Sequence, residues 1–197
     1  MITHTKPTSQ QVISSPAIHH VPSYDTVTAP KETPIAIRYV EPNDIHYLHE
    51  LLTHSKTVYW TSELPYATAA QIDQRFIQPA EGQYTLVATC NQSIVGMLGF
   101  SVNPHPRVHH VARISPVVVH ANHHGKGIGS ALVKAAIDLA EQWLNVHRLE
   151  LLVYADNEAA IALYTKFGFV AEGIMQHYAF RAGQYADIQI MARLSHY

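Results

Sequence analysis

The chain has 197 residues, of which 47% are hydrophobic and 14% charged, and its formal net charge is −2. This length buries one good core and predicts one domain, while the near-neutral charge gives no electrostatic case for binding nucleic acid or an anionic membrane. The single cysteine, Cys90, excludes an intramolecular disulfide framework. We find neither an apolar run of membrane-spanning length nor the pattern of a secretion leader, and we therefore expect a soluble, cytoplasmic protein.

Residues 1–33 are rich in Thr, Ser, Pro and Gln, and their apolar residues follow no period. We therefore expect a flexible N-terminal extension outside the folded part. The domain, residues 34–197, begins with an alternating strand at residues 35–40.

The remaining elements follow from apolar periodicity, turn residues and prolines. In chain order we predict a helix over residues 42–55, an aromatic loop over 59–66, a helix over 68–77, strands over 84–90, 94–102 and 110–120, a helix over 128–146, a strand over 149–154, a helix over 157–167, and strands over 169–181 and 185–194. Pro116 lies inside one of these strands and requires a bulge, a splay or a sheet edge there. The order of elements predicts an α/β fold, a mixed sheet with helices on both faces.

Histidine is unusually frequent, with 15 copies. Adjacent histidines, as at residues 19–20, 109–110 and 123–124, do not share a face and are poor chelators. His46 and His49 have helical spacing, but no third thiolate or carboxylate accompanies them. We predict no metal site.

A glycine-rich segment, HGKGIGS at residues 124–130, joins a β-branched strand to an apolar helical pattern. This arrangement forms an anion cradle, because backbone N–H groups converge there and the helix N-terminus adds partial positive charge. Glycine suits the turn, since a β-carbon would keep phosphate oxygens away from the amides. The glycine spacing fits neither a P-loop nor a dinucleotide fingerprint, so we discount both.

A second block, Asn157-x-x-Ala160-x-x-x-Tyr164-x-x-x-Gly168-Phe169, follows the next predicted strand. Asn157, Ala160 and Tyr164 share one helical stripe, so the phenol can face the cleft that the glycine turn borders. A phenol with a pKa of about 10 is a suitable acid for a departing thiolate. Asn157 also suits a helix N-cap, and Tyr164 also suits a core position.

In element order and in these two blocks, residues 35–194 resemble the GNAT superfamily of N-acetyltransferases. Its signature, Gln/Arg-x-x-Gly-x-Gly/Ala, is matched with His124 in the first position. The resemblance implies a splayed mixed sheet in one domain, acetyl-CoA as cosubstrate, Tyr164 as the catalytic acid, and direct acetyl transfer to a primary amine. The resemblance assigns coenzyme binding to the backbone of the strand before the glycine turn, to the turn with the start of its helix, and to the second block. The residues are Val117, Val119, His124, Gly125, Lys126, Gly127, Ile128, Gly129, Ser130, Asn157 and Tyr164.

The resemblance also implies an acceptor site at the aromatic loop, where Tyr59, Trp60 and Glu63 lie together. A carboxylate beside aromatic faces attracts an ammonium group through charge and cation–π interaction, so Glu63 is our preferred amine contact. The base that deprotonates the amine stays open among Glu63, His110, Asp187 and an ordered water chain.

We expect the acceptor to be a small amine, and two classes of amine are consistent with the residues. A second ammonium bound by Glu63 favours diamines or polyamines, whereas Arg113 or Arg181 facing the pocket would bind a carboxylate and favour amino acids. The closest resemblance, from Trp143 onward, is to small bacterial enzymes that acetylate free amino acids or short amines. A peptide N-acetyltransferase and a non-catalytic acyl-CoA-binding module are the alternatives. We also expect a homodimer built through the aromatic C-terminal hairpin.

Overall fold

The computed structural model describes residues 35–91 and 93–195. The extension that we predict at residues 1–33 lies outside the described residues, so its flexibility stays a prediction. Among the described residues the predicted order of strands is confirmed, and so are the predicted helices, except that the first of them is divided into two.

Seven strands form one mixed sheet in the order β1-β2-β3-β4-β5-β7-β6. All neighbours are antiparallel except β4 and β5, which are parallel. The strands are β1 (Ala36–Tyr39), β2 (Gln83–Cys90), β3 (Ser93–Val102), β4 (Val111–Val119), β5 (Arg148–Tyr154), β6 (Val170–Arg181) and β7 (Gln184–Leu194).

The helices of the described residues lie on both faces of this sheet. They are α1 (Ile45–Thr53), α2 (Ser55–Trp60), α3 (Ala69–Ile72), α4 (Ile128–Trp143) and α5 (Glu158–Lys166). No described helix combines the length and apolar character that crossing a membrane requires.

The prediction of a single helix over residues 42–55 is wrong. A 3₁₀ turn, Pro42–Asp44, precedes α1, and α1 ends before His54, whose backbone is extended. The His54 ring then accepts a hydrogen bond from the Lys56 N–H at 3.3 Å and starts α2. Tyr59 and Trp60 therefore belong to a helix, and the aromatic loop begins only after them.

Two apolar clusters pack on opposite faces of the sheet because side chains alternate along each strand. On one face, Leu132 and Ala136 of α4 pack with Leu98 of β3. On the other, Leu48 of α1 packs with Met97, the residue before Leu98. Both clusters consist of buried residues, so the sheet is packed between two helical layers.

Trp143 keeps the apolar spacing of α4, but its side chain is 79% exposed. The helix ends at this residue, and the chain turns back so that Val146 is buried in its place. The Val146 N–H donates to the Ala140 carbonyl at 2.9 Å.

The parting of β4 from β5 decides where the site lies. The two strands pair only from Val111↔Arg148 to Ile114↔Leu151, although β4 continues to pair with β3 as far as Val119. Pro116, which has no N–H, lies in the unpaired half, and the β3–β4 register shifts beside it. Both a bulge and a splay thus accompany Pro116.

Candidate active site

A cleft of about 1270 Å³ opens where β4 and β5 separate. One side is formed by the unpaired half of β4 around Val117 and by the end of β5. α5, α2 with the segment after it, and the end of β6 complete the wall. Beyond Ile114 the backbone of β4 has no ladder partner on β5, so its amide groups are placed to pair with an extended ligand.

The glycine turn lies at the start of α4, and neither its residues 124–130 nor Val119 line this cleft. Gly125 and Gly127 have φ values of 75° and 78°, and Gly127 is the N-cap of α4. A Cβ at either position would meet nothing within 4 Å, so glycine is required by the backbone conformation rather than by packing in the protein. A Cβ at Gly129 would lie 3.2 Å from Leu163 Cδ2, which brings the turn next to α5.

Two side chains of the turn fold back on the chain. His124 Nε2 lies 2.8 Å from the Val119 carbonyl, and since a carbonyl only accepts, this ring nitrogen donates. Lys126 Nζ donates to the Asn122 carbonyl at 3.1 Å. His124, which replaces the Gln or Arg of the signature, thus ties the turn to the end of β4 and occupies the Val119 carbonyl.

The second block lines the cleft as its spacing predicts. Asn157 Oδ1 accepts from the Ala160 N–H at 3.2 Å, so this residue caps α5, and all three stripe residues belong to the cleft wall. Tyr164 is 8% exposed, and burial raises the pKa of its phenol well above the usual value. No group within residues 35–91 and 93–195 forms a hydrogen bond with the Tyr164 hydroxyl. The phenol therefore stays neutral and keeps its proton to donate.

Glu63 is a buried cleft residue in an ion pair. Arg75 Nη1 donates to Glu63 Oε2 at 2.8 Å, while no described residue bonds to Oε1. Tyr59 and Trp60 line the same cleft, each 40% exposed, with ring centroids 4.9 Å apart. The structure thus brings the three predicted acceptor-site residues to the cleft.

Arg181 of β6 is the cleft residue that the sequence indicates least clearly. Its guanidinium carbon lies 4.2 Å from the ring centroid of Tyr59, 4.9 Å from that of Trp60 and 4.3 Å from that of Tyr154. Nη2 donates to Asp156 at 2.5 Å, a bond that raises the pKa of the guanidinium further. The sequence offers Arg181 only as one of two arginines that would bind a carboxylate if they faced the pocket, and both Arg113 and Arg181 line the cleft.

Three other candidates do not serve the acceptor site in this geometry. Asp187 does not line the cleft, because its carboxylate accepts the His177 N–H at 2.8 Å in a bulge of β6. His110 lies before the paired start of β4 and is likewise outside the cleft wall. Arg113 does line the wall but is 52% exposed and bonded to Glu150 at 2.6 Å. Within the described part of the chain, no three His, Cys, Asp or Glu side chains are grouped to hold a metal ion.

Comparison with known proteins agrees with this geometry. Residues 45–169 match the Acetyltransferase (GNAT) family, and the chain belongs to this family. It is 33% identical over 160 residues to the L-amino acid N-acetyltransferase AaaT of Escherichia coli (strain K12), covering 81% of this chain and 98% of that protein. It is 27% identical over 169 residues to the spermidine N(1)-acetyltransferase of the same strain, covering 85% and 89%.

Among solved structures, the spermidine N-acetyltransferase from Vibrio cholerae in complex with CoA and spermine superposes with a TM-score of 0.73 at 25% identity, covering 81% of this chain and 95% of that one. This chain is therefore an acetyl-CoA-dependent N-acetyltransferase. Its own residues fit the coenzyme, because β4 has no partner on β5 beyond Ile114 and the positive-φ glycine turn carries no β-carbon at Gly125 or Gly127.

Proposed function

We propose that the enzyme transfers acetyl to the primary amine of a small molecule, a free amino acid or a short amine. One observation carries this proposal: the parting of β4 and β5 puts the Tyr164 phenol and Glu63 into the wall of a single cleft. The cleft is bounded by α2, the segment after it and the end of β6, so its acceptor side is built for a compact ligand. Relatives that act on an amino acid and on spermidine support the same class.

In the reaction, the neutral amine nitrogen forms a bond to the acetyl carbonyl carbon, and the carbon–sulfur bond breaks. Tyr164 donates its proton to the departing sulfur, and the proton that the new amide nitrogen loses returns to the phenolate through solvent. The substrate arrives as an ammonium ion and must first lose a proton. We assign that proton to Glu63, directly through Oε1 or through one water, and it leaves as the net proton of the reaction.

The experiment is a thiol-release assay with acetyl-CoA and a panel of amines, on the wild-type enzyme and on Tyr164→Phe. We expect the variant to lose roughly 10²- to 10⁴-fold in kcat, the usual contribution of general acid catalysis. Its affinity for acetyl-CoA, measured by calorimetry, stays within about threefold, because a Phe ring keeps the packing on Phe169. Unchanged turnover in Tyr164→Phe would remove the phenol from the mechanism.

The pH profile tests the same residue. Burial raises the pKa of Tyr164, so the neutral acid is present throughout the range in which the substrate amine titrates. We expect kcat/KM to rise with pH as the amine is deprotonated, with no fall below about pH 10 from loss of the phenol proton. A descending limb between pH 8 and 10 that is absent in Tyr164→Phe would contradict this.

We also propose a homodimer and a cytoplasmic location. β6 is an edge strand of the sheet and exposes Val170 and Ile174, which favours pairing with a second copy. The one cysteine, Cys90, is free, as suits a reducing compartment.

A further inference from the structure

We infer that Arg181 determines acceptor specificity by binding a carboxylate, so that the substrates are amino acids rather than polyamines. This inference rests on the proposed function and narrows it to one class of acceptor.

The charge of the cleft wall disfavours a polyamine. Among the described residues that line it, Glu63 is the only acid, and one of its oxygens already bonds to Arg75. Arg113 and Arg181 line the same wall. A polyamine with several ammonium groups would find a single carboxylate, already paired with Arg75, and two guanidinium groups paired with Glu150 and Asp156. All but one of its ammonium groups would therefore lack a partner in this wall. An amino acid carries one ammonium for Glu63 and one carboxylate for an arginine.

Arg181 has a donor without an acceptor. Its side chain is 11% exposed, and Nη1 is buried with no hydrogen-bond partner in the described part of the chain. A buried N–H without a partner is costly, so such a group calls for a ligand atom or another specific explanation. A carboxylate seated in the cleft supplies the missing acceptor, and hydrogen bonds between charged groups are the stronger kind.

The guanidinium is held in place before any ligand arrives. Asp156 fixes Nη2, and the rings of Tyr59, Trp60 and Tyr154 surround the cation. Asp156 is itself 56% exposed, so solvent weakens its electrostatic interaction with Arg181. Tyr59 and Trp60 are each 40% exposed, so these rings can turn aside to admit a carboxylate and then flank the acceptor's own side chain. The guanidinium itself is therefore ordered before binding, and only the two rings have to move.

The competing explanation is that Arg181 only ties β6 to α2. A purely structural arginine would affect all acceptors alike, whereas a carboxylate-binding arginine acts on acceptors that carry the carboxylate. Matched acceptors therefore separate the two: L-phenylalanine, its amide, and phenethylamine share the ring and the amine and differ at the carboxylate. Spermidine represents the polyamines.

We expect the wild-type enzyme to acetylate L-phenylalanine with a kcat/KM roughly 100-fold above that for phenethylamine or the amide, the effect of one charged hydrogen-bond partner. Arg181→Gln should lower kcat/KM for the amino acid about 100-fold and change that for phenethylamine less than about threefold. Arg113→Gln, a change at the exposed arginine of the same wall, should alter the ratio of the two acceptors less than about threefold.

A binding measurement keeps the inference testable if Arg181→Gln folds poorly. We expect N-acetyl-L-phenylalanine to raise the melting temperature of the wild-type enzyme in the presence of CoA, and N-acetylphenethylamine at equal concentration to have no such effect. Wild-type preference for phenethylamine or spermidine overturns the inference and leaves the proposed function standing, as does an equal loss on both acceptors in Arg181→Gln. Failure of the wild-type enzyme to acetylate any amine of the panel overturns the proposed function, and this inference with it.

Discussion

Glu63 is buried in the cleft wall, and its two carboxylate oxygens have different surroundings. Oε2 accepts from Arg75, and Oε1 has no partner in the described part of the chain. The ion pair holds the carboxylate in one orientation, with Oε1 left to accept a proton from the substrate or from a water. Since Arg75 is 55% exposed, the pair itself contributes little to stability.

Glu63→Gln and Arg75→Gln distinguish a proton acceptor from a structural carboxylate. We expect Glu63→Gln to lower kcat/KM at least tenfold at pH 7, with the deficit shrinking as rising pH deprotonates the free amine. Arg75→Gln removes the ion pair but keeps the carboxylate, so kcat/KM should fall less than about threefold. Steady-state kinetics from pH 6 to 10 provide the readout. Equal losses in both variants, independent of pH, would mean that Glu63 only supports the loop.

Helical spacing predicts site residues that lie close together along the chain, whereas the family resemblance is what assigns the aromatic loop around Glu63 to the same site. Asn157, Ala160 and Tyr164 share a helical stripe, so their spacing alone places them on one wall. Arg181 could not be placed in this way, because its partners Tyr59 and Asp156 come from distant segments and meet only in the folded sheet. Asp187 is suggested by its residue type, which suits a base, but the structure does not place it in the site. Its carboxylate accepts the backbone N–H of His177 at a bulge in β6.

The turn before α4 requires glycines because its backbone has positive φ values. Gly127 has a φ of 78°, and so does Gly82 in the turn before β2. We expect Gly127→Ala and Gly82→Ala to lose similar stability, about 1–2 kcal/mol, because both impose a left-handed conformation on alanine.

Only Gly127→Ala should also weaken binding of acetyl-CoA, by about tenfold or more, since its methyl group enters the space in front of the α4 N-terminus. Thermal unfolding and calorimetry with the coenzyme give the two quantities separately. Equal affinities in the two variants would show that the turn does not contact the coenzyme.

Element boundaries follow from the sequence where a strong local signal exists. Gly183, with a φ of 84°, marks the turn between β6 and β7, and Asn157 marks the start of α5. The break between α1 and α2 has no such signal, because the ring of His54 acts as a cap that apolar periodicity does not reveal. Pro116 indicates a disturbed strand, but only the paired sheet shows that β4 and β5 separate at this point.

At the scale of the whole molecule, the exposed edge of β6 is the surface on which the proposed dimer depends. Ile174 is 60% exposed, pairs with Gln189 of β7 and does not line the cleft. We expect sedimentation velocity to show a dimer for the wild-type enzyme and a monomer for Ile174→Lys, because a charge on an edge strand opposes strand pairing. Gln189→Lys, on the inner neighbour of the edge strand, is the control and should stay dimeric. A wild-type monomer at micromolar concentration would reject the dimer.

The separation of β4 from β5 affects the stability of the enzyme as well as its ligand binding. Only four residue pairs join the β1–β4 portion of the sheet to the β5–β7 portion, so the seam is weakest at the place where the thioester enters. A ligand that pairs with the amides of β4 beyond Ile114 bridges the two portions of the sheet. At a free concentration [L] and a dissociation constant Kd, it adds RT ln(1 + [L]/Kd) to the free energy of unfolding. Hydrogen exchange at the far ends of β4 and β5 should then slow when acetyl-CoA is added. In a cell short of this metabolite, the enzyme would lose both its reactant and its protection from proteolysis.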